Sequence, residues 1–195
     1  MRKSKADTAA TRKHIVATAS RMFLTHGLVA TNIADIMAAA GLTQGGFYRH
    51  FESKEQLMAE ANHLAFDQLL DMFDRTVTGM TPADAIETIV CLYLRQLMSE
   101  DPLHMCPIAN LGSELGRSVD QVRTAGADGY ERLVRLLADK AKQMNIVEYE
   151  KVANAIVSTM VGAVTVSRLT RDTPTVDSVL TDAQDAVKRL LQSAG

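Results

Sequence analysis

The sequence contains only two cysteines, Cys91 and Cys106, separated by 15 positions with no second pair. This fits neither a disulfide scaffold nor a zinc site, so both are expected as reduced thiols. A long uncharged run is also missing. The stretch 152–167 is 16 residues and includes Asn154, Ser158, Thr159 and Thr165, short of the roughly 20 largely apolar residues of a membrane span. No basic segment followed by an apolar core opens the chain, so residues 1–10 are expected to be an arm rather than a signal peptide, in a cytoplasmic protein with no membrane partner. Sustained period-2 alternation is absent, which argues against a β-sheet fold. A Gly-x-Ser-x-Gly elbow, a P-loop and a dinucleotide fingerprint are absent too, which argues against the enzymes built on them. There is no internal repeat, low-complexity tract or flexible linker.

What the chain does have is apolar residues at helical spacing. With 47% hydrophobic residues in 195 it can bury one large core or two modest ones, and the period predicts an all-α fold of nine helices. The first covers about 8–25, with Ile15, Val16, Ala19, Met22 and Phe23 on one face and Gly27 past its end. Thr31 is expected to cap a second, carrying Ile33, Ile36 and Met37, and Gly41 allows a sharp turn into a short third helix over about 43–48. Ser53-Lys54-Glu55-Gln56 has the form of a capping box and opens a long helix to about 75 with two apolar stripes, Leu57/Ala61/Leu64 and Phe66/Leu70/Phe73. Thr81-Pro82 starts another that ends near Asp101-Pro102, and Pro107 starts a short one to about 115. The spans 119–144, 148–169 and 175–191 complete the set, the last two broken by Arg171-Asp172-Thr173-Pro174. The expected division is an N-terminal unit with a basic arm over 1–52 and a larger C-terminal unit over 53–195.

The segment Gly41-Leu42-Thr43-Gln44-Gly45-Gly46-Phe47-Tyr48-Arg49-His50-Phe51, after an amphipathic stretch ending at Ala40, is the signature of a helix-turn-helix that reads DNA. Charge agrees: residues 1–54 hold eight Lys/Arg against three Asp/Glu, while the remainder holds thirteen against twenty. The basic end is where an anionic partner would bind. A recognition helix meets base edges with its N-terminal residues, here Thr43 and Gln44, and Gln44 can bond adenine in bidentate fashion. Gly45 and Gly46 each cost about 1 kcal/mol in a helix relative to Ala, an expense that close backbone approach to DNA would offset. Lys54 sits in a first turn, where the helix dipole disfavours a cation unless an anion such as phosphate is near. Arg2, Lys3, Lys5, Arg12 and Lys13 would add nonspecific attraction.

Residues 12–58, with Gly27, Thr31, Gly41-Leu42-Thr43, Phe47-Tyr48-Arg49-His50-Phe51 and Lys54, resemble the N-terminal domain of TetR-family repressors. The resemblance implies a homodimer on an operator, with a small-molecule pocket in the C-terminal domain whose filling releases DNA. It also implies that Tyr48 and His50 contact backbone phosphates, and that Thr31 forms a second phosphate clamp. No metal or other cofactor is expected.

In the C-terminal part, the expected effector pocket is lined by Phe66, Phe73, Tyr93, Met98, Met105, Cys106, Asn110, Tyr130, Met144 and Met160, whose methionines are flexible and polarizable. Cys106 before Pro107 would stand at the positive end of a helix, where a thiol pKa falls; the alternative is an inert buried thiol. The stretch 106–111 resembles one in TetR-type regulators that respond to electrophiles, so the effector is expected to be small and either hydrophobic or electrophilic. The family's dimer, a four-helix bundle of the last two helices of each subunit, would place Ala155, Ser158, Gly162, Val179, Ala183, Val187 and Leu190 at the interface. Two other functions compete. Glu60-Ala61-Asn62-His63 has the Glu-x-x-His spacing of ferritin-like metal enzymes, but a di-iron site needs two such motifs and no second occurs. A DNA-binding adaptor governed by a protein partner is the other, and a fully packed C-terminal core would favour it.

Overall fold

The computed structural model describes residues 5–96, 105–170 and 173–194. Among these residues there are eight α-helices, one 3-10 helix and no strand: α1 (Lys5–His26), α2 (Ile33–Ala39), the 3-10 helix (Gln44–Arg49), α3 (Lys54–Thr76), α4 (Pro82–Gln96), α5 (Pro107–Arg117), α6 (Asp120–Gln143), α7 (Tyr149–Leu169) and α8 (Thr175–Ala194). The expected end of α4 near 101–102 lies outside the described residues.

The caps follow local chemistry, with one correction. Ser53 caps α3 by accepting from the Gln56 amide at 3.1 Å, and Gln56 Oε1 returns the bond to the Glu52 amide at 2.8 Å. Thr81 does the same for α4 through the Asp84 amide. α2, however, is capped by Asn32, whose Oδ1 accepts from the Asp35 amide at 2.9 Å. Thr31, expected in that role, is 2% exposed and donates its hydroxyl to the Gly27 carbonyl at 2.7 Å. The reason is Gly27 itself: its φ of +89° turns the chain back after α1 and leaves a carbonyl that the Thr31 hydroxyl satisfies.

Two cores result. The N-terminal one gathers Ile15, Ala19, Phe23, Ile36, Met37, Phe47, Phe51 and Leu57, and it also takes Leu111, Leu115 and Val122 from α5 and the start of α6. The second is built from Leu69, Phe73, Ile86, Ile89, Leu133, Leu137, Ile156, Met160 and Val164. α3 feeds both, its first half through Leu57 and Ala61 and its second through Leu69 and Phe73. Each such large apolar side chain contributes about 1.5–3 kcal/mol on burial. α3 lies along α6, where Gly129 admits the Phe66 ring: a Cβ there would stand 2.0 Å from Phe66 Cδ2. α7 is long and apolar enough to cross a membrane by length and composition alone, but Val152, Ala153, Ile156, Val157, Met160 and Val164 are buried in the second core.

Candidate functional site

The segment 41–51 is held from beneath and open above. Phe47 is fully buried, stacks on Phe51 with ring centroids 5.4 Å apart and meets Tyr48 edge-on at 5.2 Å. Gly41, at φ +70°, closes α2 and reverses the chain. The expected short helix is a 3-10 helix, with Gly46 N–H donating to Thr43 O at 2.9 Å and His50 N–H to Phe47 O at 2.8 Å. Two consecutive glycines in six residues explain why the wider α geometry is not reached. Thr43, Gln44, Gly45, Tyr48 and Arg49 are exposed, Tyr48 at 70%. Gly46 faces Met37 and Thr43, whereas a Cβ on Gly45 would meet nothing within 4 Å; nothing inside the chain requires glycine at 45.

Other expected contacts are committed elsewhere. Lys54 donates its ammonium to the Leu28 carbonyl at 2.7 Å and is half-buried, with its pKa lowered by desolvation; it braces the turn between α1 and α2 instead of standing free for a phosphate. Thr31 is turned inward, as described. Arg12 is no free surface cation: it pairs with Glu60, its Nη2 2.6 Å from Oε1, donates Nε to the His50 carbonyl at 3.2 Å and lies 4.5 Å over the Phe51 ring. The Glu60 pair raises the Arg12 pKa. Arg12 therefore fixes the end of the 3-10 helix to α1 and α3. The pair also engages the Glu60 of the Glu-x-x-His motif. Among the described residues no group of three His, Cys, Asp or Glu could hold a metal. His50 is half-buried, and Arg2 and Lys3 lie outside the described residues.

The residues expected around an effector are spread over several places. Phe66, Phe73 and Met160 are fully buried and Tyr93 is 2% exposed. Met105 packs on the N-terminal core. Asn110 donates to the Cys106 carbonyl at 2.8 Å. The Tyr130 hydroxyl bonds Asn154 at 3.1 Å. Met144 lines an open cleft of about 640 Å3 between α4 and α8, with Val90, Cys91, Arg95, Val187 and Leu191. Met98 lies outside the described residues. Periodicity marks these side chains as buried but does not say whether they surround a space or fill it.

Cys106 caps α5 with Pro107 in its first turn, as expected, yet its thiol pKa is raised. Burial dominates; the Tyr93 hydroxyl, the Ala109 and Ile108 amides and the Arg168 charge oppose it without prevailing. Four residues that the sequence did not single out carry the sharper features. The Glu114 carboxylate, on α5, accepts from the Val29 amide at 2.8 Å and lies against Gly27, joining α5 to the turn after α1. Asn62 is 4% exposed with neither amide atom bonded. Arg168 is half-buried with its pKa lowered by desolvation. Gly129 makes room for Phe66. No local pattern flags any of them, because each acts across 50 or more positions of sequence or within a site that forms only on folding.

The expected interface residues divide. Ser158 and Gly162 are exposed, and Ala155, Val179 and Leu190 are half-buried. Ala183 and Val187 are 7% and 2% exposed inside the chain's own second core. These two are intrachain packing, because α8 turns that stripe toward α4 and α7.

Comparison with known proteins places this geometry. Residues 15–61 match the family model described as bacterial regulatory proteins, tetR family. Residues 82–182 match the C-terminal domain of LmrA/YxaF-like transcriptional regulators. An uncharacterized HTH-type transcriptional regulator of Mycobacterium tuberculosis is 28% identical over 176 residues, covering 86% of this chain and 89% of the relative. The HTH-type transcriptional repressor DhaR of Mycobacterium sp. strain GP1 is 29% identical over 64% of this chain and 62% of its own length. A TetR transcriptional regulator from Chloroflexus aurantiacus superposes with a TM-score of 0.77 at 29% identity, over 94% of this chain and 96% of that one. Reduced Escherichia coli NemR shares the fold with a TM-score of 0.78 at 18% identity, over 90% and 96% of the two chains.

Proposed function

This chain belongs to the TetR family of bacterial regulatory proteins, and we propose that it is a cytoplasmic repressor that binds a pseudo-palindromic operator as a homodimer and leaves it when a small hydrophobic or electrophilic effector binds. The observation that carries the reading is the exposed edge Thr43, Gln44, Gly45 and Tyr48 on a support fixed by Phe47, Phe51 and the Arg12–Glu60 pair. Thr43 and Gln44 enter the major groove at the start of the recognition element, Gln44 reading adenine. Gly45 and Gly46 let the backbone approach, so that DNA shape carries part of the specificity. Tyr48 and His50 set register on the phosphates.

Dimerisation uses the outer stripe of α7, Ala155, Ser158 and Gly162, with Val179 and Leu190 of α8. It sets two recognition elements about 34–36 Å apart on successive major grooves. A filled core among α3, α4, α6 and α7 also suits a regulator moved by a protein partner. Gel-shift titration against duplex DNA flanking its own gene, with candidate small molecules added, tests the proposal: a retained complex under every addition removes the effector part, and no complex removes the whole.

A further inference from the structure

The second core contains polar groups without the partners that burial demands. The Tyr93 hydroxyl is buried beside the Cys106 thiol and makes no well-oriented hydrogen bond. Among the described residues, half-buried Arg168 makes no ion pair, and the hydrogen bond it makes there is a long 3.4 Å contact to the Ala109 carbonyl. Both lie close enough to Cys106 to be coupled to it electrostatically. The same point is the start of α5, where the Ile108 and Ala109 amides face the thiol, a weak acceptor. Buried cations are ordinarily paired and buried hydroxyls ordinarily bonded. Among the described residues, one cation, one phenol and a helix N-terminus converge here with no carboxylate paired to them.

We propose that this point is the anchoring site for the carboxylate of an organic monocarboxylic acid, held by the Arg168 guanidinium, the Tyr93 hydroxyl and the first amides of α5. One positive charge balances one negative charge, which favours a monoanion over a phosphate dianion in a place this dry. The surrounding Tyr93, Cys106 and Ala109 belong to an apolar core, so the acid carries an apolar body. The site deepens the effector reading above and rests on it for the consequence: the later part of α5 carries Glu114 and Leu115, which grip the DNA-side unit. A ligand that repositions the start of α5 pulls on the turn beneath the recognition element.

Calorimetric titration of the full chain, without DNA, with acetate, benzoate and octanoate tests the site in wild type, Arg168→Gln, Arg168→Lys and Tyr93→Phe. We expect saturable binding of an apolar acid at one site per chain, at least tenfold weaker in Arg168→Gln and Tyr93→Phe and partly restored in Arg168→Lys. Tyr93→Phe should melt close to wild type, because its hydroxyl has only the weakly bonding Cys106 thiol to lose. Failure of all three acids to bind, equal binding by the variants, or equal competition by inorganic phosphate overturns the proposal. A gel shift of ligand-free protein decides the DNA-binding reading separately. Carboxylate binding that leaves the operator complex intact supports the site and removes its role in release.

Discussion

At the residue scale, Gly129 and Phe66 show how one missing side chain sets a helix pair. A methyl at 129 would enter the Phe66 ring, and Phe66 is fully buried, so the helices must part. Gly129→Ala is expected to destabilise the fold by about 1–3 kcal/mol, read as a lower urea midpoint with unchanged slope. Cys106 and Tyr93 make a pH prediction. Both groups have folded pKa values above their ordinary ones because burial disfavours the anion. The native state then holds protons that the unfolded chain releases, so their contribution is intact below about pH 8.5 and declines as pH rises further. Urea midpoints measured from pH 7 to 10 should fall, and Cys106→Ala should flatten the first part of that fall. In the same way N-ethylmaleimide should modify half-exposed Cys91 faster than buried Cys106 at neutral pH; faster modification of Cys106 would contradict its burial. The sequence shows that Cys106 precedes a helix-starting proline, which argues for a low pKa. It does not show the desolvation that reverses the sign, since that comes from α4 and α7 closing over the thiol.

At the element scale, the feature with most consequence is α5. Its Leu111 and Leu115 belong to the N-terminal core, its Ala109 and Cys106 to the second, and its Glu114 accepts from the Val29 amide. α3 was legible as a shared helix because two apolar stripes and a capping box are written locally in residues 53–75. The role of α5 was not, since an eleven-residue helix shows one apolar face and nothing about which cores it touches. The recognition element was legible in place but not in form: Gly45 and Gly46 announce a tight segment, and only the bonds at Gly46 and His50 reveal 3-10 geometry. Thr31 was misread as a cap because it stands at the right spacing, and Asn32 one position later has the better geometry. Glu114→Gln keeps a neutral acceptor and should change little. Glu114→Ala leaves the solvent-exposed Val29 amide to water and should lower stability by about 0.5–1.5 kcal/mol, with hydrogen exchange accelerated at residues 27–31 more than in α7.

At the scale of the whole molecule, operator binding as proposed needs two chains acting together. Gly162 is exposed, and a Cβ there would meet nothing within 4 Å in its own chain. Gly162→Trp should therefore leave helicity and the melting temperature of the isolated subunit intact while shifting sedimentation from dimer to monomer and weakening operator binding at least tenfold; a dimer that persists would place the interface elsewhere. The small residues on the outer stripe of α7 fit the proposed interface, whereas Ala183 and Val187 are buried within the chain itself, because helical spacing gives the apolar stripe but not which neighbour it faces. The most direct measurement is fluorescence anisotropy with duplex DNA flanking the chain's own gene, comparing wild type, Gln44→Ala and Tyr48→Phe. A salt-sensitive complex of two chains per duplex is expected. Gln44→Ala should lose about 1–3 kcal/mol of discrimination at one base-pair position in each half-site, and Tyr48→Phe should weaken all sequences alike. Equal affinity of wild type for flanking and scrambled DNA, or discrimination unchanged in Gln44→Ala, would contradict that expectation.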